Sequence, residues 1–87
     1  MTSRWHVLTA HVPDAVDDEI AAVLGIGSLG VEVAASGPGM SELRVYLGPA
    51  QDVQAWHERA AHVLLAHGVV AETSRLAVGP VDDGRWV

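Results

Sequence analysis

The sequence predicts a small α+β domain with a four-stranded antiparallel sheet and two helices on one face. The first observation is the order of the predicted elements, which is strand, helix, strand, strand, helix, strand. The second is size: 87 residues, of which 49% are hydrophobic, suffice for one domain with a single core. The third is glycine and proline at the element boundaries, which favours short, defined connections.

The first strand is predicted over residues 5–12, with apolar groups on both faces, as in a central strand. Pro13 ends it, because proline has no N–H for a ladder. Asp14 is then expected to cap a helix, and Gly25 and Gly27 to end it. The inner stripe of this helix is predicted to be Val16, Ile20, Val23 and Leu24.

Residues 31–35 predict a short apolar strand, and residues 36–39 a turn that makes a hairpin with residues 42–47. Residues 42–47 alternate cleanly, as a strand with one buried face does. The inward set is predicted to be Leu43, Val45 and Leu47, and the outward set Glu42, Arg44 and Tyr46. Gly48 and Pro49 end this strand.

A second helix is predicted from Asp52, which caps it, to about His67, with Gly68 after its end. Its inner stripe is predicted to be Val53, Trp56, Ala60, Val63, Leu64 and His67. Residues 69–78 are expected to form the last strand, stopped by Gly79 and Pro80.

This βαββαβ order is that of the ferredoxin-like arrangement, in which right-handed crossovers place both helices on one face and leave the other face open. We therefore expect a ferredoxin-like domain over residues 1–79. Residues 80–87 are expected to begin a linker to a C-terminal domain outside this chain.

Charge and composition exclude several kinds of chemistry. The net charge of −6 arises from 11 acids against five bases, all of them arginine, and such a surface favours basic partners over phosphate backbones. Acidity that merely aids solubility is the better interpretation for a single small domain. There is no cysteine, hence no thiolate nucleophile or cysteine zinc site. No apolar run is long enough to span a membrane, and the N-terminus lacks a signal-peptide pattern, so a cytoplasmic location is expected.

The glycines of residues 25–30, GIGSLG, match the dinucleotide fingerprint G-x-G-x-x-G. That fingerprint needs a strand before it and a helix after it, so that the helix N-terminus meets the phosphates. The predicted order here is the reverse. A helix end followed by a tight turn is therefore the better interpretation, and no cofactor is expected in this chain.

The five histidines do not have local metal-ligand spacing. His57, His62 and His67 recur every five residues, whereas helical ligand pairs stand three or four apart. His6 and His11 fall on opposite sides of a strand. No serine stands in a recognisable nucleophile elbow. We therefore expect no metal ligand and no catalytic residue.

The open sheet face is predicted to display Trp5, Arg44 and Tyr46. Domains of this architecture that bind RNA stack bases on such a face, but the chain has no Lys, no Phe and the wrong charge for RNA. Aromatic residues and arginine are also favoured anchors of protein interfaces. These three residues are therefore our candidate partner-binding residues.

The chain resembles the N-terminal domain of the ribosomal protein L11 methyltransferases. The resemblance is carried by a Trp-led first strand (WHVL, residues 5–8) and by a helix, glycine turn and strand (EIAAVLGIGSLGVEV, residues 19–33). It extends to the acidic, Trp-containing end VDDGRWV, with Asp82, Asp83 and Trp86. The chain departs from the family at Ser28, where alanine is usual, and at Arg85, where an acid is usual.

The resemblance implies a ferredoxin-like substrate-recognition domain that binds ribosomal protein L11 and presents it to a catalytic domain outside this chain. That domain would use S-adenosylmethionine, and this chain would be a non-catalytic fragment of a protein methyltransferase. The alternative is a free-standing interaction or small-ligand regulatory module that dimerises through the open sheet face. An acylphosphatase-like hydrolase is disfavoured, because that chemistry uses an asparagine and the chain has none.

Overall fold

A computed structural model of the chain describes residues 5–81. The strands are β1 (His6–Pro13), β2 (Gly30–Ala35), β3 (Met40–Leu47) and β4 (Ala77–Pro80), and the helices are α1 (Asp14–Gly25), α2 (Val53–Ala66) and α3 (Ala71–Ser74). The strands lie in the order β2-β3-β1-β4, and each neighbouring pair is antiparallel. The predicted α+β class with a four-stranded antiparallel sheet is therefore confirmed.

The hydrophobic core lies against one face of the two central strands. The register of β1 and β3 sets Leu8 opposite Val45 and Ala10 opposite Leu43, so these four side chains share that face. All four are fully buried. The long helices complete the same core with Ile20, Leu24, Trp56, Ala60 and Leu64. The predicted inward set of β3 is confirmed, whereas Val23 of α1 is exposed rather than part of the core.

The start of α1 differs from the prediction. Pro13 occupies the cap position, and Asp14 is the first helical residue, with no side-chain cap bond in the helix. The carboxylates of Asp14 and Asp17 instead lie 2.6 and 2.7 Å from the hydroxyl of Ser41, whose single hydrogen the two acids share. Because Ser41 is buried on β3, the two acids fasten the first turn of α1 to the sheet.

The boundaries of α2 follow the prediction closely. The carboxylate of Asp52 accepts hydrogen bonds from the backbone N–H groups of Gln54 and Ala55, at 3.0 and 3.2 Å. Gly68 follows the helix with φ +79°, a left-handed conformation that favours glycine. The N–H of Val69 then donates to the carbonyl of Leu64 at 2.8 Å and closes the helix end.

The prediction of a last strand over residues 69–78 was wrong. Val69 is buried in the core directly after α2, and the chain then makes the short helix α3. Arg75, at φ +54°, turns the backbone before β4 begins at Ala77. Pro80 does not stop β4 but is its last residue, opposite His6, which an edge strand tolerates. Residues 82–87, including Asp82, Asp83 and Trp86, lie outside the described residues, and the expected linker stays a prediction.

Within residues 5–81, no helix combines the length and the apolar character needed to cross a bilayer.

The cap of α2 gives a stability prediction. Replacing Asp52 by Ala leaves two N–H groups at the helix start without their partner, and we expect a loss of about 1 kcal/mol. Urea unfolding of both proteins measures the difference. Asp18→Ala is the matched control, because Asp18 is an exposed acid in the first turns of α1. Equal losses in both variants would contradict the capping role.

Candidate functional site

The face of the sheet opposite the core carries most of its polar side chains. We call it the open face, and it comprises Val7, Thr9 and His11 of β1, Glu32 and Ala34 of β2, and Glu42, Arg44 and Tyr46 of β3. The register sets Arg44 between Glu32 on β2 and Thr9 on β1. Tyr46 is the next residue of β3 that faces the same side of the sheet, and it lies opposite Val7.

Arg44 and Tyr46 are joined by Glu32, and Glu42 contacts Arg44 as well. The hydroxyl of Tyr46 donates to Oε1 of Glu32 at 2.6 Å. The guanidinium of Arg44 donates to both oxygens of Glu42, at 3.2 and 3.4 Å, and lies 3.7 Å from the same Oε1 of Glu32. Two carboxylates therefore surround one guanidinium, and the cluster carries a net negative charge. We call these four residues the Glu32 cluster.

The cluster shifts the pKa of two of its members. The hydrogen bond to Glu32 raises the pKa of Tyr46 above its ordinary value of 10.0, and burial and the charge of Glu32 act in the same direction. The hydrogen bond and the charge of Glu42 raise the pKa of Arg44 above its ordinary value. At neutral pH the phenol of Tyr46 therefore stays protonated and donates its hydrogen bond to Glu32. The positive charge of Arg44 is partly neutralised by the two glutamates.

Trp5, the third candidate residue, lies at the end of this face. It directly precedes β1, and its side chain is about half exposed. Its carbonyl accepts the N–H of Val81 at 2.9 Å, which continues the pairing of β1 with the segment after β4. Among residues 5–81, no hydrogen bond joins the Trp5 side chain to Arg44 or Tyr46. The structure therefore brings two of the three candidate residues, Arg44 and Tyr46, together through the shared carboxylate of Glu32.

Sequence reasoning missed Glu32, which links Arg44 and Tyr46. The side chain of Glu32 is 58% exposed, so one oxygen of its carboxylate can serve the cluster while the group remains open to a partner. The feature of the sequence that could have identified Glu32 was the predicted hairpin. A turn at residues 36–39 brings Glu32 opposite the outward-facing residues of β3, and Glu32 is the single charged residue of β2.

The glycines of residues 25–30 do not fit a nucleotide or S-adenosylmethionine. They follow α1 and precede β2, as predicted, so the loop stands at a helix C-terminus where carbonyl groups point outward. Gly27 has φ +83°, and its carbonyl accepts from the side chain of Gln51 at 2.8 Å.

A second contact missed from the sequence closes the end of α1. The guanidinium of Arg59 donates to the carbonyl of Val23 at 2.9 Å and lies 4.5 Å from the ring centroid of Trp56. No basic residue of α1 lies in its own last turn. Arg59 therefore supplies the positive charge that the C-terminus of a helix favours, and it ties α1 to α2.

The histidines lie apart from one another. His6 and His11 point to opposite sides of β1, as predicted, and His57 and His62 are exposed on α2. Nδ1 of His67 is 2.9 Å from the carbonyl of Val63. Residues 5–81 hold no group of three or more His, Cys, Asp or Glu side chains placed to bind a metal ion.

Nδ1 of His11 is 2.8 Å from the hydroxyl of Ser36, the distance of a nucleophile and its base. A catalytic pair also needs a group that orients the base. No acid among the described residues is hydrogen-bonded to His11. The contact ties the turn of the β2–β3 hairpin to β1.

The Glu32 cluster predicts how Tyr46 titrates. We expect Glu32→Ala to lower the pKa of Tyr46 toward 10.0, because it removes both the hydrogen bond and the charge that raise it. The chain has one tyrosine, so the absorbance of tyrosinate reports this group alone. A raised pKa stabilises the fold only while the phenol is protonated. The stability advantage over Glu32→Ala is therefore present below about pH 10 and is lost as pH rises through the raised pKa.

Glu58→Ala is the control for this titration, because Glu58 is an exposed acid on α2. An equal titration midpoint in the wild-type protein and in Glu32→Ala would contradict the role of Glu32.

Comparison of the chain with protein-family models, with curated proteins and with solved structures gave no match. The resemblance to the ribosomal protein L11 methyltransferases therefore rests on the residues quoted above. What the chain does has to be proposed from its open face, its charge and that resemblance.

Proposed function

We propose that this chain is a protein-recruiting module with a ferredoxin-like fold, similar to the N-terminal domain of the ribosomal protein L11 methyltransferases. Its role is to bind a basic protein, with ribosomal protein L11 as the expected partner. It presents that protein to a catalytic domain that uses S-adenosylmethionine and lies outside this chain. The observation that carries the proposal is the acidic Glu32 cluster on the open face.

Topology supports the ferredoxin-like part of this proposal. The two outer strands, β2 and β4, flank a central pair that is formed by β1 and β3. Two helix-containing connections, through α1 and α2, each lead from a central strand to an outer strand. Both long helices contribute to the one core. This is the pattern expected when two split β-α-β units interleave.

Electrostatics supports a basic partner. The chain carries a net charge of −6, and the open face places Glu32 and Glu42 around the single guanidinium of Arg44. The carboxylate of Glu32 is exposed, so a lysine of a partner can pair with it without entering a buried site. The aromatic groups of Tyr46 and Trp5 supply apolar area beside this charge, which is the composition of an interface anchor.

Binding of purified ribosomal protein L11, measured by titration calorimetry, tests the proposal. We expect Glu32→Gln to weaken binding by roughly two- to fivefold, as loss of one exposed charge pair does. Trp5→Ala and Tyr46→Ala should each weaken it by roughly tenfold if these aromatics anchor the interface. Raising the salt concentration should weaken the wild-type interaction as well.

The matched control is Glu58→Gln, an exposed acid on α2, which should bind like the wild type. Two outcomes would sink the proposal. One is no binding at about 100 µM of each protein, a concentration that detects even weak recruitment. The other is equal weakening by Glu32→Gln and Glu58→Gln, which would show that only net charge matters.

A second function, a small-ligand regulatory module that dimerises through the open face, is favoured by one specific feature. A depression of about 190 Å³ opens beside His11, lined also by Pro13, Met40, residues 68–70 and Thr73. Its walls are mainly apolar, and His11 provides a polar group at the border, as small-molecule sites require. The volume is small, so a fragment-sized ligand is the expected occupant.

A thermal-shift screen of small metabolites tests this alternative. We expect a ligand to raise the melting temperature of the wild-type protein, and Val70→Trp to remove that shift by filling the depression. Leu65→Trp, at another exposed apolar position, should leave it intact. The absence of any shift, together with a monomer in solution, would rule the alternative out.

A further inference from the structure

The two edges of the sheet differ in how well they are protected. β4 is four residues long and ends in Gly79 and Pro80, so it offers little backbone for pairing. β2 is six residues long, GVEVAA, with no proline and one charge, Glu32. Natural proteins usually guard such an edge with lysine, proline or a bulge. β2 contains neither lysine nor proline. It is therefore the edge that is open to pairing with another strand.

The backbone of β2 has a defined outward-facing set. The N–H of Ser36 donates to the carbonyl of Met40 across the hairpin at 3.0 Å, so Ser36 pairs towards β3. Along an antiparallel strand, the polar groups of alternate residues point to alternate sides. Ala35, Val33 and Val31 therefore direct their N–H and C=O groups to the free edge.

Apolar side chains are exposed along this edge. Val33 is 45% exposed on β2, and Leu29, directly before the strand, is 54% exposed. Pairing with another strand would cover apolar surface and satisfy backbone groups at the same time. At β2, exposed apolar side chains and unpaired backbone groups therefore occur on the same strand.

We propose that β2 pairs antiparallel with β2 of a second copy of this chain, about a two-fold axis at Val33. In this register Val33 faces Val33 of the other copy, Val31 faces Ala35, and Glu32 faces Ala34. The outward-facing residues then supply about six hydrogen bonds between the copies. The two sheets become one continuous sheet.

The sequence of β2 is self-complementary in this register, which is why a second copy fits. Glu32 lies directly opposite an alanine and only diagonal to Glu32 of the other copy, so the two carboxylates do not form a directly opposed pair although the chain is acidic overall. The contacts of Glu32 with Tyr46 and Arg44 also direct its carboxylate toward β3 rather than toward the other copy. Shifting the register so that Glu32 faced Glu32 would oppose two carboxylates and is disfavoured.

This pairing does not depend on the proposed recruiting function. It uses the edge of the sheet and leaves both open faces uncovered. The open faces of the two copies then adjoin on the same side of the joined sheet, so two Glu32 clusters lie on one surface.

Sedimentation equilibrium of the full chain tests the pairing. We expect a monomer–dimer equilibrium in the micromolar to millimolar range, as for small interfaces. Val33→Lys should weaken dimerisation by at least about tenfold, because lysine is an effective guard of an edge strand. The matched control, Leu65→Lys, changes a residue that is 62% exposed on α2 and should leave the equilibrium unchanged. A wild-type protein that stays monomeric at about 1 mM would overturn the proposal.

Cross-linking tests the register independently of solution affinity. The chain has no cysteine, so Val33→Cys introduces a single thiol that should oxidise to a covalent dimer. Leu65→Cys should cross-link far more slowly. Equal cross-linking of the two variants would overturn the two-fold axis at Val33. Dimerisation that Val7→Arg abolishes and Val33→Lys does not would also overturn it, and would assign the contact to the open face.

Discussion

The pairing of β1 with β3 is the interaction on which the rest of the structure depends. Its register sets Leu8 and Ala10 beside Val45 and Leu43, and this fully buried row is the surface on which both long helices pack. Because side chains alternate across a strand, the same register fixes Val7, Thr9, Arg44 and Tyr46 on the other side. A slip by one residue would exchange the core and the open face at once.

The loops at one end of the sheet are held together by side chains distant in sequence. Gln51 accepts from the N–H of Gly48 at 2.6 Å and donates to the carbonyl of Gly27 at 2.8 Å, so one amide joins two connections. Arg59 adds its bond to the end of α1. The glycine loop, which in sequence is similar to a cofactor motif, is thus held by a polar contact from Gln51, in the connection that precedes α2. The conformational freedom of its glycines allows a tight turn between α1 and β2 rather than the close approach of a phosphate.

The open face combines the proposed recognition groups with their own internal partners. Arg44 and Tyr46 are held by Glu42 and Glu32, which reduces the entropy that these long side chains would lose on binding. Glu32 is the most exposed charged group of the cluster, at 58%, compared with 41% for Arg44 and 25% for Glu42. If β2 pairs between two copies, this preorganised surface is doubled without any change within either domain.

The sequence by itself determined the class of the fold, the central position of β1, the inward and outward sets of β3, the cap at Asp52 and the role of the glycines in residues 25–30. These follow from local patterns, namely alternation, capping and turn chemistry. Only the tertiary structure decided the helix α3 and the short β4, because burial of Val69 in the core overrides the apolar run of residues 69–78. It also decided that Asp14 serves Ser41 rather than its own helix, and that Glu32 joins Arg44 to Tyr46. Those contacts link residues far apart in the chain, so they exist only once the strands are in register.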